Sequence, residues 1–173
     1  MSDGQEKSYV LFPMGEKRFA LPAEVVAELA RPDHLQTFPH RTPMLAGVLV
    51  RRGRIVPVCD VAQILLGPDA PPRKFFLIAN CQVGSSQEWT AIPVTGECEL
   101  ASLEPARVVE GAPAYVTGSV TAGAETVAVV DLEKLLAMET SQPNAPTPGA
   151  SQSQLADTGQ AGSPDPGTLE TPR

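Results

Sequence analysis

The sequence predicts an all-β protein with a few short helices, built from two similar units on a shared core. Three observations carry this. Apolar runs flank isolated glycines, as in hairpins. Residues recur at a constant offset of 71 over much of the chain. Aromatic content is only 5% while hydrophobic content is 42%, so the core rests on Val, Leu, Ile and Ala.

Taken in order, "YVLFPMGEKRFALP" reads as two strands turning at Gly15. "PAEVVAELA" is either one helical turn or extended chain, because β-branched valines weaken the helical pattern. "AGVLVRRGRIVPVCD" is a second hairpin, turning at Gly53, with two buried strands. "DVAQILLG" opens on an N-cap aspartate, Asp60, and stops at Gly67 and Pro68, which defines a short helix. "KFFLIAN" and "EWTAIPV" are strands separated by a polar GSSQ loop. "ETVAVVDL" is a strand, and "DLEKLLAM" a helix capped by Asp131. From Thr140 to Arg173 the chain is mostly Ser, Thr, Pro, Gly, Gln and Ala. Such composition buries too little apolar surface to offset ordering entropy, so 140–173 is expected to be a disordered tail beyond an 8–139 body.

The repeat is specific. Gly47 to Asp60 matches Gly118 to Asp131, and Ala20, Pro22, Glu28 and Leu29 map onto Ala91, Pro93, Glu99 and Leu100. Two all-β units of about 70 residues in tandem are expected, each too small to be stable alone. The units differ in charge. Residues 31–74 hold seven Lys/Arg against three Asp/Glu, and residues 75–139 hold two against nine. Arg54 becomes Glu125 in the second unit, and Arg51-Arg52 becomes Ala122-Gly123. Opposite charge on matching turns fits two different partners.

Catalytic patterns are missing. Neither His34 nor His40 has neighbours at metal-ligand spacing, so no metal site and no cofactor are expected. Nucleotide-binding glycine motifs and nucleophile elbows are absent. Cys59 beside the arginine turn raises a reactive-thiol reading, but its apolar strand pattern reads as a small buried residue. Glu97, Glu99 and Glu104 read as a solvated face. A net charge of −7, and no aromatic beside the arginines in sequence, argue against a nucleic-acid-binding barrel. No apolar run is long enough for membrane insertion, no secretion signal is visible, and the three cysteines lack a CxxC spacing. Reduced thiols in a cytoplasmic protein are expected. Arginines on a hairpin tip serve solubility, or else multiply hydrogen-bonded recognition of a partner.

"GVLVRRGRIVPVCDVAQILLG", Gly47–Gly67, resembles the signature of CheW-like domains, the chemotaxis coupling proteins. "YVTGSVTAGAETVAVVDLEKLLA" resembles the family's closing segment, and "VVAELARPDHLQTFP" the segment with a glutamate ahead of the signature. The resemblance spans about Tyr9 to Met138. It implies two five-stranded, SH3-like, barrel-like subdomains on a shared core. It implies a non-enzymatic adaptor joining chemoreceptor tips to the regulatory domain of a CheA-type histidine kinase, recruited to receptor clusters. By motif match, Val26 and Gly47 take kinase-contact positions and Arg52 the receptor-linked arginine, while Glu28 matches the recurring acid. Arg51 and Arg54 are candidates for facing a partner. The chain departs from the pattern at Val50-Arg51, where Asn-Leu is usual, and at Val94-Thr95, where the family has Val-Asp. The alternative is a diverged module of a motility, pili or developmental pathway that has lost one interface.

Overall fold

The computed structural model describes residues 5–31, 35–37, 44–68 and 70–138. The chain divides into Met1–Gln142, which holds every described element, and Pro143–Arg173, which lies outside the described residues, as does the expected disordered tail.

Ten strands and two short helices follow in order: β1 Lys7–Met14, β2 Lys17–Pro22, a 3-10 turn Ala23–Val25, β3 Val26–Ala30, β4 Leu45–Arg51, β5 Arg54–Cys59 and α1 Ala62–Leu66. Then come β6 Phe75–Val83, β7 Ser86–Val94, β8 Glu99–Leu103, β9 Val116–Ala122, β10 Glu125–Val130 and α2 Leu132–Ala137. The "PAEVVAELA" stretch resolves into both expected alternatives, one turn and then a strand. The polar loop is tighter than read: Ser86 and Gln87 already belong to β7. β8 lies in a segment whose sequence gave no strand signal of its own. Asp131 caps α2 by accepting from Lys134 N at 3.1 Å. Asp60 sits one residue ahead of the α1 cap, Val61, and accepts from Ala62 N at 3.1 Å.

Two five-stranded sheets form, ordered β8-β1-β2-β10-β9 and β3-β6-β7-β5-β4. In each, a central parallel pair joins antiparallel hairpins: β2 with β10, and β5 with β7. The offset of 71 maps β4 onto β9 and β5 onto β10 residue for residue. The expected tandem arrangement of the repeats is corrected by this topology. Each sheet takes its first hairpin from one repeat and its other three strands from the other. The β3–β7 sheet is continuous from Val26 to Val94, and the β1/β2/β8/β9/β10 sheet closes around it in sequence.

Three apolar clusters result. Leu49, Val56, Val58 and Ala91 fill the β3–β7 lobe. Their counterparts 71 residues away, Val120, Val127, Val129 and Ala20, fill the other. A third cluster takes Phe12, Met14 and Leu21 from one sheet, Leu77, Ile92 and Val94 from the other, and Val61, Leu132 and Leu135 beside the helices. The shared core expected from the repeat is this third cluster.

Candidate partner-binding surface

The arginine turn follows from its closing pair. Arg51 pairs with Arg54 across β4 and β5, which leaves Arg52 and Gly53 as a two-residue turn. Both have positive φ, 50° and 73°, the geometry of a type I′ hairpin. The hairpins turning at Gly15, Gly84 and Gly123 put glycine at the first turn position. Here an arginine occupies it, and Arg52 is the one non-glycine residue with positive φ among the described residues.

Glu28, on β3, explains how the turn is held. Its carboxylate has 13% side-chain exposure and meets two guanidinium groups. Arg51 donates through Nε at 2.7 Å to Oε1, and Arg52 NH2 stands 3.1 Å from Oε2. One carboxylate thus fixes two arginines of different exposure, 42% and 72%. Arg54 turns the other way, its Cζ lying 5.0 Å from the centre of the Trp89 ring. The expectation that no aromatic stands beside the arginines is therefore corrected: the parallel β5–β7 contact brings Trp89 there from a distant part of the chain. The strands are also not buried on both faces. Leu49, Val56 and Val58 point inward, while Val50 is 59% and Ile55 74% exposed on the outer face.

The second lobe carries the same site with altered chemistry. Glu99, Glu125 and Arg18 stand 71 residues from Glu28, Arg54 and Trp89. Arg18 binds Glu99 at 2.7 Å and approaches Glu125 at 3.4 Å. The glutamates read as a solvated face are thus partly engaged: Glu99 with Arg18, and Glu104 with Arg107 at 3.3 Å.

Gly47 has a structural reason to be glycine. The segment at Gln36 crosses it, with Gln36 N donating to Val48 O and Val48 N to Gln36 O, both at 2.8 Å. A Cβ on Gly47 would stand 2.3 Å from Gln36 O. Gly118 repeats this under Arg107, where a Cβ would stand 2.6 Å from Arg107 O. Val26 begins β3, half-buried against the shared core. Val26 and Gly47 lie on the two edge strands of one sheet, and the structure groups Arg51, Arg52 and Arg54 at its tip. Thr95 replaces the usual aspartate and fastens the β1–β2 turn: its Oγ1 accepts from Gly15 N and donates to Pro13 O, both at 3.0 Å.

Cys59 is half-buried rather than buried. Burial pushes the Cys98 thiol up to about 11 and raises that of Cys81. Among the described residues, no group of three His, Cys, Asp or Glu is placed to hold a metal, and both histidines lie outside them. No described helix is long and apolar enough to cross a membrane.

Paired five-stranded lobes around a common core, with a clamped hairpin tip on one of them, define a two-lobed β scaffold. Residues 8–85 match the CheW-like domain family, so the chain carries a CheW-like domain, and the motif resemblance holds over these residues. Beyond Ser85 the likeness is one of fold. The scaffolding protein TtCheW from Thermoanaerobacter tengcongensis has a similar crystal structure, with a TM-score of 0.61 at 19% identity, covering 75% of this chain and 92% of that one. No curated protein matches the chain.

Proposed function

We propose that this chain is a non-catalytic adaptor that couples chemoreceptors to a CheA-type histidine kinase in a chemotaxis or chemotaxis-like pathway. The CheW-like domain and the scaffold fold support the adaptor class. The observation that carries the proposal is the hairpin tip, where one carboxylate, Glu28, orients Arg51 and Arg52 toward solvent. Such preorganisation spares a partner the entropy of ordering those side chains. Arg52 is the proposed receptor contact, and Val26 and Gly47 border the proposed kinase contact.

Calorimetric titration of the protein with the regulatory domain of a CheA-type kinase from the same genome tests this. Micromolar binding is expected, kept in Arg52→Glu and weakened roughly 5- to 150-fold in Val26→Lys, as for a hot-spot contact. Gly47→Lys is a poor probe, because its side chain would displace the Gln36 crossing before any partner arrived. Receptor tips are tested separately with Arg52→Glu, for which a comparable loss is expected. Absence of binding to every such kinase domain would leave a module that serves receptors alone.

A further inference from the structure

The two lobes are copies of one design, so each serves as a control for what the fold requires of the other. The outer face of the β4–β5 hairpin carries the cross-strand pairs Val48–Pro57 and Val50–Ile55. At the same places the β9–β10 hairpin carries Ser119–Ala128 and Thr121–Thr126. Thr121 and Thr126 are exposed. The architecture is therefore satisfied by threonine at both outermost positions. Yet the β4–β5 hairpin holds Val50 and Ile55 in water, at 59% and 74% exposure. Ile55 also borders a shallow groove floored by Trp89 and Arg54. In the sister lobe the place of Trp89 is taken by Arg18, engaged by two glutamates. Nothing in the fold calls for an apolar ladder here, which leaves a partner as its reason.

The geometry points to a docking surface for an amphipathic helix of another protein, with carboxylates flanking its apolar stripe. We propose that Val50, Ile55 and Trp89 receive that stripe and that Arg51, Arg52 and Arg54 border it. Successive outward pairs on a hairpin lie about 6.8 Å apart. Residues i and i+4 of a helix lie about 6 Å apart, so one stripe meets both rungs of the ladder. Charge complementarity sets the flanks. Glu28 offsets one of the three arginines at the tip, and Arg54 lies on Trp89 rather than on a carboxylate. An anionic membrane is disfavoured by the net charge of −7 and by Glu88 at the groove wall. A second copy is disfavoured because its equivalent hairpin offers threonines. This proposal deepens the adaptor reading, and rests on it, by naming the chemistry of one partner.

The test uses the full-length protein and a stapled synthetic helix with Leu at i, i+4 and i+8 flanked by Glu, against the same helix with Lys for Glu. Chemical shifts and affinity are followed by NMR for wild type and for the double variant Val50→Thr/Ile55→Thr, whose residues the sister lobe already tolerates. The expected result is binding of the Glu helix, with shifts centred on Val50, Ile55 and Trp89. Affinity is expected to fall about tenfold or more both in the double variant and with the Lys helix. No binding, equal affinity for the two helices, or indifference to the double variant overturns the proposal. So does preferential binding to phosphatidylserine vesicles, or dimerisation abolished by the double variant. The kinase titration is run on the same variant: kinase binding retained while the helix fails rejects this surface alone, whereas no kinase binding by wild type rejects the adaptor reading.

Discussion

Arg52 occupies backbone space that an L-residue enters at a cost of about 1–2 kcal/mol. Glycine there would relieve that strain, but it would add unfolded-state entropy of about 0.4–1 kcal/mol and remove an exposed ion pair. These effects nearly cancel. Arg52→Gly is therefore expected to stay within about 1 kcal/mol of wild type in denaturant unfolding. A loss above about 2 kcal/mol would mean that the Arg52–Glu28 contact helps hold the lobe together. Cys98 gives a second prediction at this scale. Its thiol titrates at about 11 in the folded chain instead of 9.0, because burial disfavours the thiolate. A raised folded value stabilises the fold fully below the unfolded value and stops doing so as pH climbs through the folded one. Stability is thus expected to decline between about pH 9 and 11, with Cys98→Ser flattening that decline. Slow labelling of Cys98 by a thiol reagent at pH 8, relative to a free cysteine, checks the same burial.

Among elements, the crossings above Gly47 and Gly118 are the most demanding contacts. Gly47→Ala is expected to destabilise by about 2–4 kcal/mol, since Gln36 O must move or its paired bonds with Val48 must break. Gly118→Ala is expected to behave alike, and a neutral effect at both sites would mean that the crossing segments yield easily. This gives glycine in the family signature a reason that sequence reading assigned to a partner. The hairpins themselves were legible, because a turn is decided by a few adjacent residues. The outer-face ladder was harder to read. Val50 and Ile55 fit the apolar pattern of a buried strand, and only the alternation within each strand separates them from Leu49 and Val56. Trp89 was invisible as a neighbour of Arg54, because the contact needs β5 and β7 to run in parallel. The offset of 71 that links Trp89 to Arg18 was the available hint.

For the whole molecule, the repeat was readable and its exchange of strands was not. β3 and β8 alternate in the same sense, so local pattern cannot say which of them lies beside β1. Packing in the shared core decides it. Cutting the chain between α1 and β6 separates every sheet into parts: residues 5–72 keep β1–β5 and residues 73–138 keep β6–β10. Each fragment alone is expected to show no cooperative melt and little amide dispersion, and mixing them is expected to restore both. An independently folded half would contradict the exchange. Residues 8–85, the span of the family match, are expected to be unfolded as well, since they lack β7 to β10.

The nesting of one sheet inside the other also imposes a timetable. As the chain leaves the ribosome, every strand of the inner lobe is available once Val94 has emerged. The β1–β2 hairpin, made first, must wait for β8 and β10, whose partners pair Lys7 with Leu103 and Phe19 with Ala128. Closing such distant pairs is slow compared with local hairpins. The earliest strands to be synthesised are thus the last to find their places. Until then, the apolar faces of Leu11, Phe12 and Leu21 stand open to whatever chaperone or neighbouring chain arrives first.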